Sequence, residues 1–348
     1  NRSTKHAITI LIDDVRTGMD QGQLTGSVFM DMRKAFDTVN HGHLLDKLPA
    51  YGIKDIEMKW LTSYLFARAQ VVNFKGTLSD KKTITHGVPQ GSILGPLLFA
   101  LLINDLHTEV TECKILLYAD DTVVYFSHRN ISQLETIVNE EVNKIAKWMS
   151  ENHLTLNLKK GKTEFLLFGS AKRLGKESSS PINIKINGEH LNQTTQYKYL
   201  GVLLDHHLTL HEQVRTVYHK TSTRLKLLKR VRHNLTTYAA ERVYLNMIQP
   251  IITYCPAVYL GLRTYLKEKL QSVQDRGKKI VLSKQTDVKW KSISEIINQK
   301  TLLDVHKAIQ RASPPVFHEF FTFLNHGKNT RGHAFIALQF STLSLIKA

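Results

Sequence analysis

The stretch "KILLYADDTVVYFS", Lys114 to Ser127, limits what this chain can fold into more than any other segment. Two apolar runs rich in β-branched and aromatic residues flank a short polar break, which is the pattern of two strands joined by a tight turn. The break holds two adjacent carboxylates, Asp120 and Asp121, and nothing in the pattern neutralises them. A third acid, Asp31, ends another apolar run, "GSVFMDM". Singly, each acid has an ordinary use: Asp in a turn can hydrogen-bond its own backbone, and Asp at a strand end can cap a helix. Together they read differently. If the two strands are neighbours in one sheet, three negative charges meet at one edge, and that is unfavourable unless a cation joins them. Hard oxygen donors suit Mg²⁺, which takes one or two carboxylates plus substrate phosphates. Two such ions about 3.5–4 Å apart stabilise the attacking and leaving oxygens of an in-line phosphoryl displacement.

Charge agrees with that chemistry. The 348 residues carry 47 Lys plus Arg against 30 Asp plus Glu, a net charge of +17. A balance of this kind points to a polyanionic partner, with nucleic acid first and an anionic membrane surface second. Apolar residues make up 42% of the chain, enough for a sizeable core. No apolar run approaches the roughly 18 residues of a membrane-spanning helix. The two cysteines, Cys113 and Cys255, lie in apolar surroundings and read as buried reduced thiols of an intracellular protein. They are too few and too far apart for a zinc finger. The chain starts at Asn1 without Met, which reads as a piece of something longer.

Along the chain, "STKHAITILIDDVRTGM" has helical spacing, with Ser3 or Thr4 as its cap. "KAFDTVNHGHLLDKLPAYGI" reads as a helix ended by Pro49 and Gly52, and "MKWLTSYLFARAQVVNF" as a helix running into a strand near Val71. "GVPQGSILGPLLFALLINDL" is a loop and then an apolar helix with Pro96 in its first turn. Ile131, Leu134, Val138, Val142, Ile145 and Trp148 form one stripe of an amphipathic helix. "KTEFLLFG" and "INIKING" are strands, and Asn187-Gly188 is a hairpin signal. "GSAKRLGKESSSP" reads as a solvated loop and "YKYLGVLLD" as one further strand. From about residue 210 the sequence is helical and basic, without further strand runs. The fold class is α+β, with a mixed region followed by a helical one.

The segments "VFMDMRKAFDTVNHGHLLDKL", "HGVPQGSILGPLLFALLINDL", "LLYADDTVVYF", "LTLNLKKGKTEFLLFG" and "YKYLGVLLD" occur in that order. In this order the chain resembles the palm of a reverse transcriptase, most closely the non-LTR retrotransposon type of the jockey and chicken-repeat kind. "IQPIITYCPAVY", "KLQSVQDRGKKIVL" and "NTRGHAFIAL" resemble the thumb and C-terminal extension of these elements. The resemblance implies a polymerase right-hand palm, an antiparallel sheet on helices, at 27–205. It implies a helical thumb at 206–300, a truncated extension at 301–348 and a remnant of the fingers at 1–26. The rest of the fingers and an upstream endonuclease would be missing. The implied activity is RNA-directed DNA synthesis from dNTPs on a primer 3′-hydroxyl, with two Mg²⁺ ions or Mn²⁺ in their place. The implied partners are an RNA template, a DNA primer and their hybrid, in a cytoplasmic ribonucleoprotein and the nucleus and not at a membrane. A decayed RNA-binding remnant and an enzyme of the group II intron or retron type are the rival readings.

The same resemblance assigns individual residues. Asp31 and Asp120 would hold both ions, with the backbone oxygen of Met32 as a further ligand. Asp121 would support one ion and the primer end. Phe36 would be the steric gate that rejects a 2′-hydroxyl, whereas Asp37 reads as a helix cap. Gln90 and Gly91 of "PQG" would line the nucleotide and template pocket. Lys162, with Lys159 and Lys160 as close rivals, would serve the leaving pyrophosphate as acid or charge stabiliser. Tyr199, Leu200 and Gly201 would form the primer grip, a hairpin. Between Glu212 and Glu241 stand seven cations and no acid: Arg215, Lys220, Arg224, Lys226, Lys229, Arg230 and Arg232. Arg224, Lys226, Lys229 and Arg230 are the leading candidates for contacts to the nucleic-acid backbone, and a solvated basic face is the competing reading.

Overall fold

The structure is a computed structural model that describes residues 3–66, 68–177, 182–282 and 290–311, and the backbone of two strands at 321–323 and 336–338. The chain divides into two compact units, residues 23–195 and residues 1–22 joined with 196–348. Helix α1 (Thr4–Asp20) belongs to the second unit and buries Ile8, Leu11, Ile12 and Val15 on one face, as the spacing predicts. Ser3 occupies its N-cap but makes no side-chain cap bond.

The first unit is built on strand β1 (Leu24–Met30), buried along its whole length. The helix expected from Lys34 starts only at α2 (His41–Lys47). Lys34 has φ 47°, a left-handed backbone that cannot propagate an α-helix, and the Asn40 side chain accepts from the His43 N–H at 2.9 Å to cap the later start. Asp37, expected as the cap, is therefore not one. Helix α3 (Asp55–Leu65) follows. Then comes an exposed ribbon in which β2 (Ala69–Gln70) pairs with β5 (Lys82–Thr83) around the hairpin of β3 (Asn73–Phe74) and β4 (Thr77–Leu78). Helix α4 (Leu94–Ile103) has Pro96 in its first turn, as expected.

The opening hairpin is present as β6 (Lys114–Tyr118) and β7 (Asp121–His128). Helix α5 (Ile131–Glu151) turns Leu134, Val138, Val142, Ile145 and Trp148 inward. The stripe also contains a buried acid that the apolar pattern hides. The Glu141 carboxylate, 1% exposed, accepts from the N–H of Thr111 at 2.8 Å and of Glu112 at 3.3 Å, and from the ammonium of Lys144 at 2.6 Å. Strand β8 (Glu164–Phe168) is fully buried, and the expected loop after it contains helix α6 (Ala171–Glu177). Its remainder, 178–181, lies outside the described residues. Strands β9 (Lys185–Ile186) and β10 (Glu189–His190) close on Asn187-Gly188 with φ 51° and 83°, and β11 (Asn192–Thr194) completes a five-stranded sheet of order β11-β8-β1-β7-β6. Among its pairs only β11 with β8 is parallel.

The second unit resumes with β12 (Gln196–Tyr199) and β13 (Val202–Asp205), a hairpin where the residue pattern alone reads as one strand and the family resemblance implies a hairpin. Leu200 and Gly201 turn the chain with φ 45° and 89°, a reversal that apolar composition does not announce. The Asp205 carboxylate then folds the next loop by accepting from the N–H groups of His207, Thr209 and Leu210 at 3.1, 3.0 and 2.7 Å. Helix α7 (His211–Val231) packs against α10 (Thr264–Leu282), with α8 (Thr237–Val243) and α9 (Gln249–Ile252) between them in the chain. Helix α11 (Ile293–Ile309) starts on a capping box of Ser292 and Glu295. Strands β14 (Phe321–Phe323) and β15 (Ile336–Leu338) pair where no strand was expected. Most of 301–348, including the start of "NTRGHAFIAL", lies outside the described residues. Both cysteines are buried, and burial pushes each thiol up to about 12. Among the described residues no helix is long and apolar enough to cross a membrane.

Candidate active site

Register brings the acids together. Strands β1 and β7 are antiparallel with Met30 opposite Thr122, so Asp31 and Asp121 fall one step further along, at the same end of adjacent strands. In the β6–β7 hairpin Tyr118 pairs with Asp121, leaving Ala119 and Asp120 as a two-residue loop with Ala119 at φ 51°. The two acids of the turn are thus unlike: Asp120 is in the loop and Asp121 is the first residue of a strand. Partial burial, then the charges of Asp120 and Asp31, push the Asp121 carboxyl above the usual carboxylate range, and Lys162 pulls the other way. Asp121 as a residue is exposed, so the two neighbouring carboxylates are the part of this shift that bears on chemistry.

Asp31 is held tightly. Its N–H donates to Thr163 Oγ1 at 3.2 Å, its carbonyl accepts from the Asn157 N–H at 2.8 Å, and its Oδ2 accepts from Asn157 Nδ2 at 2.9 Å. Oδ1 lies 3.5 Å from Lys162 Nζ, and the Asp31 side chain is 25% exposed. The Arg33 N–H donates to the Thr155 carbonyl at 2.8 Å, so residues 155–157 run as a short added ladder beside 31–33, with Met32 opposite Leu156. The two flanking bonds do not use the Met32 carbonyl. Asn157 carried no signal as a single residue in "LTLNLKK", because its partner lies 126 positions away. Its Oδ1 is buried without a hydrogen-bond partner among the described groups.

A cleft of about 620 Å³ opens here. Asp31 and Asp120 line it together with four cations, Arg33, Lys34, Lys159 and Lys162, and with Thr38 and Asn157. Lys159 and Lys162 thus both reach the site. Arg33 and Lys34 were not singled out in the sequence, and the approach of the 155–157 segment is what frames them. Among the described residues, no three His, Cys, Asp or Glu side chains are gathered closely enough to hold a metal ion as they stand.

The other candidates lie elsewhere. Phe36 does not line this cleft. It is half-buried, with its ring 4.8 Å from that of Phe99, on the edge of the core. Gln90 and Gly91 are exposed and also lie outside the lining, but the "GVPQG" loop is strapped to the turn that follows Asp31. The Val88 N–H donates to the Phe36 carbonyl at 2.8 Å and the Gly87 N–H to the Val39 carbonyl at 2.7 Å. Gln90 Nε2 donates to Asp37 Oδ1 at 2.9 Å, which gives Asp37 a partner in place of the expected cap. Gly87, at φ 90°, has no room for a Cβ, which would stand 2.8 Å from the Asp37 carbonyl oxygen.

Tyr199, Leu200 and Gly201 belong to the other unit. Tyr199 is buried, and the Tyr254 hydroxyl donates to the Leu200 carbonyl at 2.8 Å, bracing the turn from α9's C-terminal side. The basic run on α7 is of two kinds. Lys226, Lys229 and Arg230 are exposed. Arg224 is exposed too, but it donates to the Met247 carbonyl. Arg232 does not join a nucleic-acid face: its guanidinium donates to the carbonyls of Leu235, Ile280 and Val281 and is a structural clamp.

Comparison with known proteins fits this frame. The family model described as "Reverse transcriptase (RNA-dependent DNA polymerase)" matches residues 2–204, and the chain belongs to the reverse transcriptase family. More particularly, it is similar to the RNA-directed DNA polymerase from mobile element jockey of Drosophila funebris, 30% identical over 261 residues, 72% of this chain and 28% of that protein. It is also similar to the probable RNA-directed DNA polymerase from transposon BS of Drosophila melanogaster, 26% identical over 297 residues, 80% of this chain and 31% of that protein. The chain thus spans under a third of the length of these two relatives. Among solved structures, apo telomerase from Candida tropicalis matches at a TM-score of 0.39 and 12% identity, over 86% of this chain and 56% of that one.

Proposed function

We propose that this chain carries the polymerase core of a retrotransposon reverse transcriptase, adding dNTPs to a primer 3′-hydroxyl on an RNA template. One observation supports this above all. Asp31 and Asp120, 89 positions apart, line one cleft with Asp121 beside them, in a chain of the reverse transcriptase family. Two carboxylates in one cleft with four cations are the oxygen and ammonium groups that a divalent metal and a polyphosphate call for, and the acids would have to draw closer around the ion than they stand here. Asp31 and Asp120 would hold Mg²⁺, or Mn²⁺, at two positions, which when bound supplies charge neutralisation for in-line phosphoryl transfer.

The chain's own residues do the rest. Asn157 fixes the Asp31 carboxylate, and Thr163 fixes its backbone by accepting from the Asp31 N–H. Lys162, already 3.5 Å from Asp31, balances charge at the leaving pyrophosphate or delivers its proton. Phe36 forms the floor under the sugar, and Gln90 and Gly91 stand on a loop that Gly87, Val88 and Gln90 bond to the 36–39 turn. Leu200 and Gly201, with Tyr199 behind them, hold the primer. Exposed Lys226, Lys229 and Arg230, with Arg224, contact hybrid phosphates without regard to sequence. This reading makes 27–205 a right-hand palm and 206–300 a thumb, and places the protein in a cytoplasmic ribonucleoprotein and the nucleus.

The test is primer extension on an RNA template, with Mg²⁺ or EDTA and with dNTPs or rNTPs. The wild-type chain is expected to add dNTPs with Mg²⁺ only, Asp120→Asn to lose this while still binding hybrid, and Phe36→Ala to admit ribonucleotides. Hybrid binding without any incorporation would replace the enzyme by an RNA-binding protein.

A further inference from the structure

The segment from α3 through the β2–β5 ribbon carries aromatic side chains that the cleft chemistry does not use, with Trp60 and Phe74 exposed and Tyr64 half-buried against the core. On α3, Trp60 and Tyr64 are one helical turn apart, and their rings stack within 15° of parallel with centroids 5.8 Å apart. The Arg68 guanidinium follows at 5.3 Å from the Tyr64 ring. Trp60, Tyr64 and Arg68 therefore form a column of flat faces ending in a cation. The inward side of α3 is Leu61 and Leu65, both buried, whereas Trp60 is 56% exposed. The ribbon repeats the pairing of ring and cation: Phe74 is 70% exposed, with the Lys75 ammonium 5.6 Å from its ring centroid. Between residues 54 and 84 there are six Lys and Arg (54, 59, 68, 75, 81 and 82) and three acids (55, 57 and 80).

Ile56, Val71, Val72 and Leu78 are exposed on the same segment, but a protein seated on these rings would also have to bury the cations beside them. Burying Arg68 and Lys75 there would demand matching acids. Single-stranded nucleic acid offers flat bases for the rings and phosphates for the cations, and each stacked base adds affinity with little regard to sequence. A duplex presents phosphates but no open base faces. We propose that the Trp60–Tyr64–Arg68 face binds single-stranded RNA by base stacking. In the reaction proposed above, which supplies the identity of the strand, it holds the unpaired part of the template.

The experiment measures binding of the full chain to three labelled probes by fluorescence anisotropy. The probes are a blunt RNA–DNA hybrid, the same hybrid with an unpaired RNA extension, and the unpaired RNA alone. In the wild type the extension is expected to tighten binding. Trp60→Ala should weaken binding to the extended hybrid and to the single strand by roughly 5- to 150-fold and leave the blunt hybrid unchanged. Trp60→Phe, which keeps a ring, should restore most of the difference and guards against a folding defect. An extension without effect in the wild type, or a Trp60→Ala loss equal for blunt and extended probes, overturns the proposal. Failure of the polymerase reading looks different: no primer extension, with Trp60-dependent binding of unpaired RNA intact.

Discussion

Asn157 gives the sharpest test of how the site is held. Its Nδ2–H donates to Asp31 Oδ2 at 2.9 Å, whereas its backbone N–H donates to the Asp31 carbonyl at 2.8 Å. Asn157→Ala removes the first bond and keeps the second, so the strand end persists while the carboxylate loses its side-chain anchor. A hydrogen bond to a charged group contributes about 1.5–3 kcal/mol. Asp31 is a quarter exposed, which places the loss near the lower bound, about 1.5 kcal/mol. At 1.36 kcal/mol per factor of ten, incorporation should slow by about tenfold. The assay is single-turnover addition of one dNTP at saturating hybrid, with Mg²⁺ titrated in parallel, and the Mg²⁺ requirement should rise. Asn157→Asp should be worse at neutral pH, because it sets a second negative charge against the Asp31 carboxylate where an amide had donated to it. Thermal unfolding is the control for a lost fold. An Asn157→Ala chain with wild-type rate and wild-type Mg²⁺ requirement would refute the claim that this amide orients Asp31.

Two further outcomes follow from groups away from the cleft. Burial alone would raise the Glu141 carboxyl, but its bonds to Lys144, Thr111 and Cys113 outweigh that and hold it below the usual value. A depressed acid stabilises the fold above its unfolded value, about 4.3, and loses that stabilisation as pH falls through its folded value. Glu141→Ala should therefore cost roughly 2–3 kcal/mol at pH 7 and less as pH falls through the depressed folded value, by urea unfolding; a pH-independent loss would contradict the assignment. Tyr254→Phe removes the hydroxyl that meets the Leu200 carbonyl and Thr4 Oγ1, both at 2.8 Å, and should raise amide exchange at Leu200 and Gly201 while costing about 1 kcal/mol. Unchanged exchange at the turn would show that the brace does nothing.

What the sequence made legible was local and periodic. The α5 stripe, the Asn187-Gly188 turn and the 114–127 hairpin are all written within a few residues of themselves. The acids could be grouped because strand ends and family order both point to one edge. What stayed hidden depends on distant partners or on single backbone angles. Lys34 and Leu200 adopt positive φ, which delays one helix and folds one apparent strand into a hairpin. Asn157 and Gln90 are ordinary polar residues until Asp31 and Asp37 come within reach. Arg232 looks like its basic neighbours, yet its donors close carbonyls 48 and 49 positions later in the chain. Glu141 interrupts no apolar spacing, and only the folded loop at 111–113 explains why it is buried.

The proposed metal role of Asp31 and Asp120 rests on their sharing one cleft. It is tested most directly by electron paramagnetic resonance titration of Mn²⁺ into the chain bound to hybrid and a non-reactive nucleotide analogue. The wild type is expected to bind two ions tightly and the Asp31→Asn, Asp120→Asn double variant to lose both. The same Mn²⁺ stoichiometry and affinity in wild type and double variant would contradict it.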